Sequence, residues 1–208
     1  MLFHRPLDEA LAAWSHLAVL RALQDAALGM TGRELARQAG LSHRACHNAL
    51  TRLEQLHLVQ RQRGGQSHLF TLRRDHRLMQ EALLPMLVVE REFFSSFCDV
   101  LRKKIRNPVV ALIIFGSVAR KDESPESDVD LCVIVKRPGD KVAAQAAVHQ
   151  LAPTMLRRFG AKLAPIFFTL AEFRRRARSQ SGAKPPVNSI LREGVVVRGP
   201  SLRELAYG

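Results

Sequence analysis

The sequence predicts a mixed α/β (α+β) protein in two parts: a mainly helical N-terminal part, and a C-terminal part in which helices flank a mixed sheet. Apolar residues recur at three- and four-residue steps through the N-terminal part, a spacing typical of amphipathic helices. In the C-terminal part, the apolar runs 109–115 and 163–169 have the length and composition of buried strands. The 208 residues, 47% of them hydrophobic, suffice for one large or two small cores.

The charge balance indicates a polyanionic partner. Lys and Arg total 32 against 19 Asp and Glu, a formal net charge of +13. Such an excess is typical of proteins that bind nucleic acid or an anionic membrane surface. The longest apolar run, Val109–Phe115, is far shorter than the roughly 20 residues of a membrane-spanning helix. Asp8 and Glu9 lie where a signal peptide would be apolar. We therefore expect a cytoplasmic protein that does not enter the membrane.

The three cysteines indicate no disulfide or zinc site. Cys46, Cys98 and Cys132 are an odd number, are widely separated and form no CxxC pair. We expect reduced thiols, as is usual in the cytoplasm.

The first elements are three helices. Apolar positions in residues 7–27 favour an amphipathic helix. Thr31 and Glu34 have the spacing of a capping box, which predicts a short helix over 32–38. After a glycine turn, Ser42 is a candidate N-cap for a third, longer helix.

A hairpin follows the third helix. Two β-prone arms flank Gly64-Gly65, and paired glycines are typical of tight hairpin turns because both central residues need a positive φ. The order of elements over 7–72 resembles a winged helix-turn-helix domain of the kind seen in small bacterial repressors. The polar face of the third helix and the hairpin then offer candidate contacts to double-stranded DNA: Ser42, His43, Arg44, His47, Asn48, Thr51, Arg52, Arg61 and Arg63. The alternative is a winged helix used only for protein contacts. Because a single winged helix offers little contact area, we expect a homodimer.

The residues that follow predict a domain division of 1–75, a connector helix over 76–106, and 107–208. The basic run 102–106 at the end of this helix is either a cationic helix end stabilised by the helix dipole or a binding patch. A second basic run, 174–178, is either solvated or meets a nucleic-acid acceptor.

The second half carries the residues that predict chemistry. After the strand at 109–115, Gly116-Ser117 opens a short helix, and a polar loop leads to Asp128 and Asp130. On an extended strand these two carboxylates leave the same face about 6–7 Å apart. Mg²⁺ suits them, because it prefers oxygen ligands and bridges carboxylates to phosphate. Gly116 allows phosphate close to the backbone, Ser117 adds a hydroxyl, and Arg120 is positioned to pair with phosphate.

These residues closely resemble the nucleotidyltransferase domain of the DNA polymerase beta superfamily, in the GSxAR…SDxDL form of the minimal nucleotidyltransferases. The resemblance implies that Gly116 and Ser117 hold the triphosphate of a nucleotide, with ATP expected. It also implies that Asp128 and Asp130 are catalytic residues that hold two Mg²⁺ ions for attack by an acceptor hydroxyl. Related minimal enzymes often belong to toxin–antitoxin pairs.

One departure from the family concerns a third carboxylate, which active members place on a later strand. The corresponding strand here, 163–169, contains no acid. Glu172 follows it in a capping-box pattern with Thr169, so Glu172 either caps a helix or substitutes for the missing ligand.

Two functions are therefore open. The chain is either a DNA-binding nucleotidyltransferase that binds NTP and Mg²⁺ and modifies a protein or tRNA, or a repressor or antitoxin-like regulator whose degenerate nucleotidyltransferase fold senses a nucleotide.

Overall fold

The chain divides into two compact units, Met1–Glu92 and Phe93–Gly208. The computed structural model describes residues 4–64, 67–179 and 185–208. The segment 76–106, expected to be a connector, contributes residues to both units. The three-part division of the sequence stays a prediction.

In the part of the chain that the structure describes, the first unit contains four complete helices, a small sheet, a π-helical turn and the first residues of a fifth helix. In chain order these are α1 (Pro6–Ala10), α2 (Trp14–Gln24), β1 (Met30–Thr31), α3 (Gly32–Gln38), α4 (His43–Gln55), β2 (Val59–Gly64), β3 (Ser67–Leu72) and the turn Met79–Leu83.

The single helix expected over 7–27 is divided into α1 and α2. The buried imidazole of His16 lies 3.2 Å from the carbonyl oxygen of Glu9 and 3.3 Å from that of Ala10. It therefore provides a partner for carbonyl groups at the end of α1, which a continuous helix would have paired internally. The apolar spacing continues across the break, so periodicity alone did not reveal it.

The predicted helix starts are confirmed. Thr31 Oγ1 accepts a hydrogen bond from the Glu34 backbone N–H at 3.3 Å, and the Glu34 carboxylate accepts one from the Thr31 N–H at 2.9 Å. Ser42 Oγ accepts from the Ala45 N–H at 3.2 Å and caps α4. These side chains satisfy backbone donors that the first turn of a helix leaves unpaired.

The sheet of the first unit has the order β1-β3-β2 and is antiparallel. Gly29 leads into it with φ +80°, and a Cβ there would lie 2.8 Å from the Phe70 carbonyl oxygen, so the approach to β3 requires glycine. The pair Gly64 and Ser67 ends the hairpin of β2 and β3. Gly65, the second glycine of the predicted turn, lies outside the described residues. The core beneath the sheet is formed by α2, α3 and α4, including the fully buried Leu20, Leu23, Leu35 and Leu53.

The second unit contains a four-stranded sheet and six helices in the described part of the chain. Its elements are α5 (Leu84–Lys104, whose first residues belong to the first unit), β4 (Val109–Phe115), α6 (Gly116–Arg120), β5 (Val129–Val135), α7 (Asp140–Phe159), β6 (Leu163–Thr169), α8 (Leu170–Ala177), α9 (Val187–Glu193), β7 (Val195–Arg198) and α10 (Leu202–Tyr207).

This sheet has the order β6-β5-β4-β7, with β5 and β6 parallel and the other pairs antiparallel. The strands alternate between two buried faces. One face, with Leu112 and Val133, packs against α5 and α7; the other, with Ile113 and Ile134, packs against α8, α9 and α10. The expected mixed sheet flanked by helices is confirmed, and the strand runs 109–115 and 163–169 are confirmed with their bounds. The sequence analysis did not predict the short α10, although Ser201 and Glu204 have the spacing of a capping box.

The arginine run of α8 has structural contacts. Arg174 Nε donates to the Leu205 carbonyl oxygen at 3.1 Å, and Arg178 Nε donates to that of Ala206 at 2.8 Å, so both satisfy carbonyl groups of α10. The Arg176 guanidinium lies over the Phe168 ring, 4.9 Å from its centroid. Among the described residues, no helix is both long and apolar enough to cross a membrane.

Candidate functional site

The two aspartates of the motif lie at one end of the second sheet. Asp128 directly precedes β5 and is exposed, whereas Asp130 is half-buried within β5, opposite Phe115 of β4. Burial raises the pKa of Asp130, and the nearby carboxylate of Asp128 raises it further. The two carboxylates are therefore close enough to repel each other, which is the electrostatic condition that a bound cation relieves.

Gly116 makes direct room for Asp130. Its φ is +73°, and a Cβ built on it would lie 2.1 Å from Asp130 Oδ2. An L-amino acid would be strained in this left-handed conformation and would also displace the carboxylate. The bend between β4 and α6 therefore holds the backbone of Gly116-Ser117 beside Asp130, with Ser117 half-exposed.

Arg120 is held by two carboxylates. Its Nε donates to Asp122 at 3.0 Å and its Nη1 donates to Glu193 at 2.7 Å. Only 9% of the Glu193 side chain is exposed. The Arg120 charge also acts on Asp130, whose pKa it lowers in opposition to the effects of burial and Asp128. Two of the three guanidinium nitrogens are thus occupied, and among the described residues Nη2 has no partner.

Sequence reasoning missed Glu193. It lies at the end of α9, far along the chain from Arg120, and no motif connects the two residues. Only the packing of α6 against α9 brings them together.

The third carboxylate of the family is absent beside Asp130. The parallel pairing of β5 and β6 sets Asp130 opposite Ala164, and the two residues share a sheet face. A methyl group cannot bind a cation. Among the described residues, no group of three or more His, Cys, Asp or Glu side chains is arranged to hold a metal ion.

Glu172 lies at the other end of β6, where it caps α8. Its carboxylate accepts from the Thr169 N–H at 2.8 Å and from Lys141 Nζ at 2.6 Å. These bonds, the one from Lys141 first, lower the pKa of Glu172 to about 2. Thr169 pairs with Val135, five residues along the strand from Asp130 and so roughly 17 Å away. Of the two interpretations of Glu172, the structure supports the helix cap.

Most candidate DNA-binding residues are exposed on the first unit. Arg52 differs: it is half-buried, its Nε donates to Glu9 at 3.1 Å, and its Nη1 donates to Gln55 at 3.2 Å. Arg61 Nε lies 3.5 Å from Glu54 Oε1. The exposed candidates are Ser42, His43, Arg44, His47, Asn48, Thr51, Arg61 and Arg63.

A polar groove lies between the helices and the hairpin of the first unit. It has a volume of about 790 Å³ and is lined by Thr51 and His47 of α4 and by Arg61 and His68 of the hairpin, together with Arg33 of α3. Sequence reasoning missed Arg33 of α3 and His68 of β3, because its candidates came only from α4 and from the first arm of the hairpin. The exposed face of α3 was the signal that could have indicated Arg33.

Comparisons with known proteins agree with both halves of the chain. A family model described as a nucleotidyltransferase domain matches residues 96–179, and one described as a winged helix-turn-helix DNA-binding domain matches residues 15–60. The chain therefore combines a winged helix-turn-helix domain with a nucleotidyltransferase domain.

Two solved structures resemble the chain distantly. One is a toxin–antitoxin complex with AMP-PNP, with 14% sequence identity to this chain. The match covers 54% of this chain and 79% of that chain and has a TM-score of 0.36. The other is an MntA–HpeT toxin–antitoxin complex with two Asp-to-Glu substitutions, 13% identical, with the same coverages of 54% and 79% and a TM-score of 0.36. No curated protein matches the chain.

The contact between Gly116 and Asp130 predicts a local requirement for glycine. We expect Gly116→Ala to lower the free energy of unfolding by about 1–2 kcal/mol or more, because it combines left-handed strain with a steric clash. Gly139→Ala is the matched control, since Gly139 has φ −62° and no atom lies within 4 Å of the place that a Cβ would take there. Chemical denaturation should show a change below about 1 kcal/mol for this control. Equal stabilities of the two variants would contradict the steric argument.

The ion pair of Glu172 predicts a pH-dependent contribution to stability. Because the folded-state pKa is lowered from 4.5 to about 2, this stability is present above pH 4.5 and is lost as the pH falls toward 2. Glu172→Gln should lower the free energy of unfolding at pH 7 by up to about 1 kcal/mol, with the difference vanishing near pH 2.

Glu204→Gln is the control for this prediction, since Glu204 forms a capping box with Ser201 but has no lysine partner in the described part of the chain. Its effect at pH 7 should be smaller. If Glu172→Gln weakened Mg²⁺-dependent nucleotide binding as much as Asp128→Asn, Glu172 would belong to the metal site after all.

Proposed function

We propose that the protein is a DNA-binding regulator whose nucleotidyltransferase domain binds a nucleoside triphosphate with Mg²⁺ and transfers nucleotidyl groups slowly or not at all. The observation that supports this most directly is the register that pairs Asp130 with Ala164. The Gly116-Ser117 bend and the two aspartates are retained, whereas the carboxylate that would complete the site is missing. Binding can persist under these conditions even though catalysis is weakened.

The phosphates would lie against the start of α6. Gly116 has no side chain to exclude them, and Ser117 offers a hydroxyl and a backbone N–H. The unpaired Nη2 of Arg120 is a further donor, held in orientation by Asp122 and Glu193. Guanidinium groups favour phosphate because their planar donors match its oxygens.

Asp128 and Asp130 fit a hard divalent cation. Both are oxygen donors, and burial, followed by the neighbouring Asp128 carboxylate, raises the pKa of Asp130. Mg²⁺ is usually bound by one or two carboxylates together with substrate phosphates, so two aspartates are sufficient when a nucleotide is present. When bound, Mg²⁺ would neutralise phosphate charge and favour in-line attack on the α-phosphate. The aspartates would hold and orient it.

Activation of an acceptor is the weak step in this proposal. Removing a proton from an acceptor hydroxyl contributes about 10²–10⁴-fold in enzymes that position a base for it. Ala164 cannot serve as that base, and Glu172 is paired with Lys141 at the far end of β6. The second candidate function, transfer to a protein or tRNA acceptor, is favoured by the complete Gly116-Ser117 and Asp128-Asp130 motif.

The winged helix-turn-helix domain would bind double-stranded DNA with α4 in the major groove. His47, Asn48 and Arg44 are exposed hydrogen-bonding side chains that can reach base edges or phosphates. Arg61 and Arg63 of the hairpin would contact the phosphate backbone of the DNA. We expect a cytoplasmic homodimer that reads two half-sites.

Nucleotide binding is measured by calorimetry with ATP in Mg²⁺. We expect binding by the unmodified protein and a loss of at least about tenfold in affinity for Asp128→Asn and Asp130→Asn, because each removes a charged cation ligand. Glu123→Gln and Glu126→Gln, exposed acids of the adjacent loop, should bind normally. Absence of ATP affinity in the unmodified protein would contradict the proposal.

Transfer is tested with ATP labelled at the α-phosphate, incubated with total tRNA and candidate proteins. We expect little label with the unmodified protein. Ala164→Asp should increase it by about tenfold or more, since it restores a carboxylate beside Asp130. Ala171→Asp, which adds the same charge to the exposed side of α8, should have no effect. Rapid transfer by the unmodified protein that requires Asp128 and Asp130 would establish the second candidate function.

DNA binding is tested by a gel shift on the DNA upstream of the protein's own coding sequence. Arg44→Ala and Asn48→Ala should each weaken specific binding by about 1–3 kcal/mol, and the affinity should fall linearly with the logarithm of salt concentration. Arg77→Ala is a control, because Arg77 is 85% exposed on the same unit but lies outside α4 and the hairpin. Unchanged affinity in both α4 variants would favour a winged helix used only for protein contacts.

A further inference from the structure

We propose that the nucleotidyltransferase domain carries a second DNA-binding surface, at the end of its sheet opposite Asp128 and Asp130. This surface, the basic pole, consists of Lys103, Lys104, Arg106, Lys136, Arg137 and Arg198. It would bind the phosphate backbone of double-stranded DNA without reading its sequence. The choice of DNA as the partner rests on the proposed function of the other domain.

The topology of the sheet gathers these residues. Val109 at the start of β4 pairs with Val135 at the end of β5, whereas the Asp130 pair lies at the other end of the same two strands. Arg106 precedes β4, and Lys136 and Arg137 follow β5 immediately. A third segment contributes through its side chain: Arg198, the last residue of β7, pairs with Leu112 in the middle of β4, and its guanidinium extends to the Ile105 carbonyl oxygen just after α5.

Side-chain contacts fix two of these cations at the end of α5. Arg106 Nε donates to the Lys103 carbonyl oxygen at 3.0 Å, and Arg198 Nη1 donates to that of Ile105 at 2.8 Å. The side chains of Lys103 and Lys104 are exposed on the last turn of the same helix. The basic run of α5 is thus part of a larger cluster, which the sequence alone did not reveal.

Two acids lie near the basic pole, and one of them, Glu172, is paired with a lysine. Asp140 accepts from the Arg137 backbone N–H at 3.0 Å. Glu172 is bound by Thr169 and by Lys141. In the described ranges, Lys103, Lys104 and Lys136 have no carboxylate within salt-bridge distance. The excess positive charge therefore faces solvent, where it attracts a polyanion.

The composition of the basic pole favours a duplex over single-stranded nucleic acid. Single strands are bound largely by stacking bases on aromatic side chains. The exposed aromatic residues in the described part of this unit lie outside the basic pole: Phe93 contacts Phe159, Phe94 stacks on Phe97, and the Tyr207 ring lies beside the Arg178 guanidinium. Lysine is a flexible point charge suited to phosphates but not to bidentate base recognition. The three lysines therefore favour contacts with the phosphate backbone that are independent of sequence, and Arg106 and Arg198 each already use one guanidinium nitrogen on a backbone carbonyl oxygen.

A second DNA contact in the same chain would add to the first. Once the winged helix-turn-helix domain binds DNA, a tethered basic surface encounters the polymer at a high effective concentration, so even weak contacts increase the overall affinity. The contribution should depend on salt and not on sequence.

The experiment measures binding of the full-length protein to a random-sequence DNA duplex by fluorescence anisotropy across a salt titration. The pole variant Lys103→Gln/Lys104→Gln/Lys136→Gln should reduce the slope of log K against log[salt] by about 2–3, since each lost phosphate contact removes about 0.9. The control variant Arg157→Gln/Arg158→Gln/Lys162→Gln removes the same charge from exposed positions elsewhere on the unit and should keep the slope.

Two further arms separate this proposal from the function of the first unit. Arg44→Ala/Asn48→Ala should lose specific binding yet retain non-specific binding, which the pole substitutions then reduce. Anionic phospholipid vesicles test a membrane surface as the source of phosphate. Three outcomes would overturn the proposal. The pole variant could keep the salt slope of the unmodified protein, its slope could fall only as much as that of the control variant, or it could lose vesicle binding and keep DNA binding.

Discussion

The contact of the Asp130 carboxylate with Gly116 is the constraint on which the site depends. The antiparallel register sets Phe115 opposite Asp130, so the residue that follows β4 must turn away beside that carboxylate. Only a glycine permits both the left-handed conformation and the close approach. The same turn begins α6, the helix that carries Ser117 and Arg120. A single steric condition therefore positions carboxylates, hydroxyl and guanidinium together.

This arrangement is electrostatically unfavourable on its own. Burial and the charge of Asp128 both disfavour ionised Asp130, and Arg120 compensates only in part because Asp122 and Glu193 share its charge. Structural ion pairs are usually arranged to satisfy their charges. A carboxylate pair that remains under-compensated fits a surface that meets a cation and an anionic ligand together. The repulsion between the two aspartates destabilises the fold, and its presence therefore supports a site that binds a cation.

Local patterns predicted the elements, because each depends on neighbours in sequence. The capping boxes of Thr31 and Thr169, the cap at Ser42 and the strands on either side of Gly116 follow from short spacings. The break after α1 could not be predicted from short spacings, since it depends on the His16 ring. The pairing of Arg120 with Glu193 could not be predicted either, because no short-range rule connects residues on α6 and α9. The register that places Ala164 beside Asp130 required the sheet itself.

The sheet of the second unit separates opposite charges along its strands. Asp128 and Asp130 lie at one end. Two carboxylates alone repel phosphate, so a divalent cation would have to bridge them to it. At the other end, the cations around Lys104 and Lys136 attract phosphate directly. Glu172 could weaken that end but is neutralised by Lys141, and its low pKa keeps the pair ionised at neutral pH. Because the lysines and the carboxylates lie at opposite ends of the strands, they do not neutralise each other. At a shared end they would pair, and neither would be available to a phosphate.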